Sequence, residues 1–238
     1  MVGIGPGDLS LLTFQARKAL TEAEVIIGYS TYLELIQPLL EGKETVSSGM
    51  MKEVDRAKKA VELALQGKKV VVVSSGDPGV FGMAGLVMEI ALPLGIQIEV
   101  IPGVTAANAA AAVLGAPLMH DFAVVSLSDL LTPWELIEKR LQAAGAGDFI
   151  VVLYNPASKK RKKQIKRAKE ILLLYREPET PVGIVKNLYR EGQEVIISDL
   201  ENMLEQDIDM FTTVVVGNSQ TYPMGDQLIT PRGYDLQT

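Results

Sequence analysis

Short apolar runs rich in valine and isoleucine recur along the chain, at residues 2–4, 24–28, 69–74, 97–101, 122–127, 149–154, 182–186, 194–198 and 212–218. Each has the length and β-branched content of a strand. The intervening segments carry a different period. Over 54–65, Val54, Ala57, Ala60, Val61, Ala64 and Leu65 fall on one face of a helix. Strand runs that are apolar on both faces and separated by helices predict an α/β protein with a largely parallel sheet covered on both sides.

The texture changes near residues 115–121, from Gly-rich connections to longer, charged ones. This favours two α/β domains, 1–117 and 118–238, over the eight-unit barrel that the length would also allow. Only four residues precede Gly5, so the first strand is expected to be short, with room for a few native residues ahead of Met1.

Composition narrows the chemistry. With 29 Asp and Glu against 23 Lys and Arg, the formal net charge is -6, which disfavours nucleic acid and anionic membranes as partners. The absence of cysteine removes thiolate chemistry and thiolate-held metals, and one histidine cannot make a histidine-rich metal site, so no metal site is expected. No apolar run approaches the roughly 20 residues of a membrane span, and "MVGIGPGDLS" does not read as a signal peptide. A soluble cytoplasmic protein is the expectation.

Four stretches invite a chemical reading. In "GIGPGD", Gly3 to Asp8, the third glycine of a dinucleotide fingerprint is replaced by Asp8, and Pro6 removes an amide donor, so NAD is a poor fit. Two readings stand: a strand-to-helix turn in which Asp8 satisfies free amides at the start of a helix over 9–13, or a substrate-facing loop. In "SSGDPGVFGMAG", Ser74 to Gly85, four glycines follow the strongest strand, as in a loop where backbone approaches a ligand; Asp77 suits a cationic or hydroxyl-bearing ligand better than a phosphate, and the competing reading is a turn that Asp77 caps. "IPGVTAANAAAAVLGAP", Ile101 to Pro117, places Thr105 at the start of an alanine-faced helix, suited to close packing or to a flat ligand. "KKRKKQIKRAK", Lys159 to Lys169, has eight basic residues in eleven; it reads as a solvated helix face, or as a recruiter of a multiply carboxylated substrate.

Taken in order and at these spacings, "GIGPGD", "SSGDPGVFG", "PGVTAANAAAA", "YNP" and "PVGIVKN" resemble the tetrapyrrole methylase family over essentially the whole chain. The stretches "VSSGMMKEVDRAKKAVELA", "GAPLMHDFAVVSLSDLLTPWELIEKRL", "LYNPASKKR" and "TPRGY" are more specific, and resemble members acting on carbon 17 of precorrin-3B or cobalt-factor III. The resemblance implies two α/β domains with a cofactor cleft between them, S-adenosyl-L-methionine as methyl donor, a corrinoid precursor as substrate, a homodimer, and ring contraction in cobalamin synthesis. It assigns cofactor binding to Pro6, Ser75, Gly76, Asp77, Val80, Thr105, Ala106, Tyr154 and Asn155, and more loosely to Asn187. Gly7, Ser48, Gly49, Ser126 and Asp129 become candidates for substrate contact, with Asp8 a weaker catalytic candidate.

Methyl transfer from a sulfonium needs positioning more than acid-base power, but ring contraction needs proton movement. Histidine is the side chain best suited to that near neutral pH, and His120 is the only one. It is the expected acid or base. The competing reading makes it a hinge residue hydrogen-bonded beside Asp121. Trp134, after Pro133, reads as a packing anchor at a helix start.

Overall fold

The computed structural model describes residues 1–49, 51–158 and 161–235. The chain forms two compact units, Met1–Ala106 and Ala107–Thr238.

The first unit runs β1 (Val2–Gly3), α1 (Phe14–Glu22), β2 (Val25–Tyr29), α2 (Ser30–Leu35), β3 (Glu44–Ser48), α3 (Glu53–Leu65), β4 (Val70–Ser74) and α4 (Ala84–Ala91). Its sheet has the order β1-β4-β2-β3 and every pairing is parallel. Strand alternation explains why the helices cover both faces. Ile26, Val71 and Val73 join one buried cluster with Ala16 and Leu20 of α1, while Val25, Ile27 and Val72 join another with Ala57, Ala60 and Leu63 of α3. Thr13 starts α1 by accepting a hydrogen bond from the Ala16 amide at 3.1 Å. Residues 97–101, expected to be a strand, pair only through a single bridge between Ile101 and Val2. β3, in contrast, escaped the sequence pattern because an edge strand of Glu, Thr and Ser keeps much of its surface in water.

The second unit begins with α5 (Ala106–Leu114) and β5 (Gly115–Ala116), followed by β6 (Phe122–Ser126), α6 (Trp134–Ala146), β7 (Ile150–Tyr154), α7 (Lys163–Leu172), β8 (Pro181–Lys186), β9 (Glu194–Asp199), β10 (Thr212–Val216), β11 (Tyr222–Met224) and β12 (Gln227–Ile229). The division between units falls at 106/107, one residue into α5 and earlier than the expected boundary at 117/118, because the helix packs on the sheet of the second unit. Leu114 lies over Gly183 of β8, where any side chain would strike its Cδ1 at 2.4 Å.

The main sheet here, in the order β6-β7-β10-β8-β9, corrects the expectation of parallel pairing. Only β6 and β7 are parallel; the other three pairings are antiparallel. The cause lies in the connections, since residues 187–193 are too few for a crossover and turn β8 straight back into β9. Val151, Leu153, Val182, Ile184, Val214 and Val216 bury one face of this sheet against Ile137 and Leu141 of α6 and Ile165, Ile171 and Leu172 of α7. Trp134 packs partly buried against that cluster and donates through Nε1 to the Glu138 carboxylate at 2.9 Å, which is the anchoring role. No helix is long and apolar enough to cross a membrane among the described residues.

Candidate active site

In the first unit the loops after β1 and β4 and the turn over 102–106 interlock at the carboxyl end of the parallel strands, where open α/β sheets bind ligands. Gly5 and Gly76 exchange backbone hydrogen bonds at 2.7 and 3.2 Å, and the Gly3 amide donates to Ile101 O at 3.0 Å. The glycines are there for closeness of approach. A Cβ on Gly103 would lie 2.2 Å from Gly76 O, and one on Gly3 would lie 2.6 Å from Gly103 N. Neither position admits a side chain unless backbone moves.

Asp77 locks this arrangement. Its Oδ1 accepts from the Gly79 amide at 2.8 Å and its Oδ2 from the Gly103 amide at 3.1 Å, so one carboxylate ties the Gly-rich loop to the neighbouring turn. Beside it, a Cβ on Gly76 would meet the Ala106 amide nitrogen and Thr105 Cα only at 3.8 Å and Val104 O at 3.9 Å. Gly76 and residues 104–106 thus face each other at a separation that a Cβ would fill in ordinary contact. Ser75, Thr105 and Ala106 are half-buried and Pro6 is buried, while Val80 and Phe81 stand exposed on the loop. Phe81 adopts a left-handed backbone (φ +52), a strained conformation for a bulky residue.

Asp8 accepts from the Ser10 amide at 2.7 Å and caps a short 3-10 helix over Leu9–Leu11, the first of its two expected readings. Its hydrogen bonds to Ser10 hold the carboxyl below the usual carboxylate range, so it is an acceptor rather than a proton donor near neutrality. Gly7 lies beside it, half-buried. Ser48 ends β3 with Gly49 directly after it, and their partner is a residue that the sequence pattern did not single out: Arg56 of α3 donates from Nε to Ser48 Oγ at 2.9 Å and from Nη2 to Gly49 O at 3.1 Å. Its place on the buried face of α3 was hidden by its charge.

In the second unit, Ser126, Asp129, Tyr154 and Asn155 follow the two parallel strands. The Tyr154 hydroxyl accepts from the Ala107 amide at 2.6 Å and so satisfies the first turn of α5. Asn155, in a left-handed conformation (φ +50), donates from Nδ2 to Ser126 Oγ at 3.0 Å. Asp129 accepts from Gln164 Nε2 at 2.8 Å, and Arg161 donates to Asn155 O at 3.0 Å with its Nη1 3.9 Å from Asp129. The structure thus joins Ser126, Asp129 and Asn155 into one polar cluster. It also draws in Arg161 and Gln164, which the basic run had suggested were simply solvated; Lys162, Lys163, Lys166 and Arg167 do form an exposed face, and Lys159 and Lys160 lie outside the described residues. Asn187 sits apart, in the β8–β9 turn, where its left-handed backbone and its Nδ2 bond to Gly192 O (3.2 Å) shape the connection.

His120 is half-buried and its ring makes no hydrogen bond among the described residues. The segment leading to it is clamped by the β11–β12 hairpin. β5 pairs with β12, the Thr230 hydroxyl donates to Pro117 O at 2.7 Å, and Arg232 donates to Met119 O at 3.1 Å. Among the described residues no group of three His, Asp or Glu is placed to hold a metal ion.

Residues 1–204 match the model of the Tetrapyrrole (Corrin/Porphyrin) Methylases, and the chain belongs to that family. It is 53% identical, over 98% of its own length, to a cobalt-factor III methyltransferase of Priestia megaterium, but spans only 44% of that protein. With a probable cobalt-factor III C(17)-methyltransferase of Salmonella typhimurium it shares 45% identity over 99% of both chains. The crystal structure of the methyltransferase CobJ superposes with a TM-score of 0.90 at 42% identity, covering 97% of this chain and 98% of the other.

Proposed function

We propose that the protein is an S-adenosyl-L-methionine-dependent C-methyltransferase that methylates carbon 17 of cobalt-factor III, with contraction of the macrocycle, in cobalamin synthesis. The observation that carries this is the end-to-end match, 99% of both chains, to a protein named for that reaction. The relatives' names favour a cobalt-bearing substrate over precorrin-3B.

The composition of the two segments facing each other at Gly76 and 104–106 suits the proposed methyl donor. They present backbone and small side chains, and neither 75–82 nor 102–106 contains a lysine or arginine to pair with a phosphate. When bound, S-adenosyl-L-methionine supplies an activated methyl group on a sulfonium. Gly76, Val80, Thr105 and Ala106 would hold it, and Asp77 acts by fixing the loop and by placing negative charge in the same neighbourhood as the cation. Pro6, Ser75, Tyr154, Asn155 and Asn187 complete the proposed cofactor set. A displacement of this kind gains most from alignment, which interlocked backbone provides better than mobile side chains.

Ser48, Gly49, Gly7, Ser126 and Asp129 are the proposed substrate contacts. His120, with its ring nitrogens uncommitted, takes and returns the proton that contraction requires; Asp8, ionised and capping, serves substrate orientation. A homodimer and a cytoplasmic location belong to the same reading.

Incubation with S-adenosyl-L-methionine and either cobalt-factor III or precorrin-3B, followed by mass and absorption, tests it. One methyl added with the spectral change of contraction is expected from the cobalt-bearing substrate. Turnover of precorrin-3B alone would move the assignment to the metal-free substrate. Failure to bind the methyl donor in calorimetry would remove the enzymatic reading altogether.

A further inference from the structure

Among the described residues two arginines are almost fully buried, Arg56 at 5% and Arg176 at 8% exposure, and they are treated differently. Arg176 has a counter-ion, Asp148, at 3.1 Å. Arg56 has none among the described residues: its three bonds run to Ser48 Oγ, Gly49 O and, from Nη1, Met83 Sδ at 3.0 Å, all of them neutral. The acidic residues nearest in sequence do not serve it, since Asp55 pairs with Lys52 and Glu53 makes no ion pair with it. It also sits in the first turn of α3, where the helix dipole disfavours a cation. Burying an unpaired charge costs stability that hydrophobic packing would not, so the position asks for a reason outside the folded chain.

Its partners supply the location. Ser48 ends β3 with Gly49 directly after it, and Met83 lies late in the Gly-rich loop after β4, so the guanidinium lies at the carboxyl edge of the sheet. We propose that Arg56 is a positioning residue for a polycarboxylate ligand: it braces the end of β3 to the Gly-rich loop and leaves one unneutralised positive charge there, which a ligand carboxylate compensates. This rests on the proposed reaction only in that a corrinoid precursor is such a ligand.

The structure offers a test that does not remove the arginine. A side chain at Gly49 would meet nothing within 4 Å, and its backbone needs no positive φ. Gly49→Asp therefore offers Arg56 an internal carboxylate, with Gly49→Asn as the uncharged control. Binding of uroporphyrin, which carries acetate and propionate on each ring, and of coproporphyrin, in which the acetates are methyl groups, is followed by fluorescence titration together with the thermal midpoint. G49D is expected to melt higher than G49N and to bind uroporphyrin on the order of tenfold more weakly, with a smaller loss for coproporphyrin. R56K should retain more affinity than R56Q. Equal affinity of G49D and G49N, or of R56K and R56Q, would overturn the proposal and leave Arg56 a structural brace. Because Gly49 is itself a proposed substrate contact, weaker binding by G49D without a midpoint above that of G49N is direct repulsion of the ligand and overturns the proposal; should R56Q fail to fold, this joint reading of the Gly49 pair decides. Because porphyrin binding needs no turnover, an inactive wild-type protein would refute the proposed reaction without touching this comparison.

Discussion

The interlock of Gly3, Gly76 and Gly103 makes a quantitative commitment. In Gly103→Ala the new methyl carbon would stand 2.2 Å from Gly76 O, where ordinary contact begins at 3.4 Å, so the two backbones must part by about 1.2 Å. No rotamer relieves this, because the nearest atoms, Gly76 O, Gly3 C and Gly3 Cα, all belong to the main chain. Overpacking of this kind costs roughly 1–3 kcal/mol, and the same displacement stretches the 3.1 Å bond from the Gly103 amide to Asp77, a charge-assisted bond worth about 1.5–3 kcal/mol. Partial relaxation makes a total near 3 kcal/mol reasonable, or a fall of roughly 6–12 °C in thermal midpoint for a chain of this size. The proposed methyl-donor site shares this backbone, and an ångström of misalignment costs on the order of a hundredfold in rate. Calorimetric melting, donor titration and single-turnover methyl transfer measure all three quantities. Gly85→Ala is the control, since its added carbon meets nothing within 4 Å inside α4, and a gain of about 0.5–1 kcal/mol is expected. G103A with the melting point and donor affinity of the wild type would refute the interlock as the basis of the site.

Other expectations are open to simpler tests. His120→Ala should lower ring contraction about 10²–10⁴-fold while methyl-donor affinity stays as in wild type; contraction at the normal rate would remove His120 from the chemistry. Tyr154→Phe leaves the Ala107 amide without its acceptor, so about 1–3 kcal/mol should be lost in urea denaturation, and an unchanged midpoint would mean that water replaces the hydroxyl without loss. The Arg167 hydrogen bond, seconded by Trp134, holds the Glu138 carboxyl below its ordinary range. Its stabilisation is therefore complete above the unfolded carboxylate value near 4.3 and fades as pH falls through the lower folded value. The melting-point gap between wild type and Glu138→Gln should narrow below about pH 4.3; a gap constant with pH would deny the ionic contribution.

What could be read from sequence depended on how locally each feature was determined. β4 and α3 were legible because Val71–Val73 and the face through Ala57, Ala60 and Val61 carry undiluted strand and helix periods. The parallel expectation failed for β8–β10 because strand composition says nothing of direction, whereas the short 187–193 connection does. β11 and β12 flank a Gly225–Asp226 turn, a recognisable hairpin signal, but the pairing of β12 with β5 joins residues more than a hundred apart in sequence and leaves no local trace. Among site residues, glycines and carboxylates could be placed by loop chemistry. Arg56 and Arg161 could not, since an arginine on a helix reads as solvated until the fold shows which face it occupies.

The clamp on the His120 segment has a consequence in time. The chain reaches Pro117 long before Thr230, whose hydroxyl it must meet 113 residues later. At synthesis rates of about 5–20 residues per second, roughly 6–23 s separate the two. The alanine helix and the first sheet can be complete in that interval, while the backbone carrying the proposed proton acceptor still lacks its closing strand. The proposed chemical competence of the His120 segment thus waits on a strand made 113 residues after it.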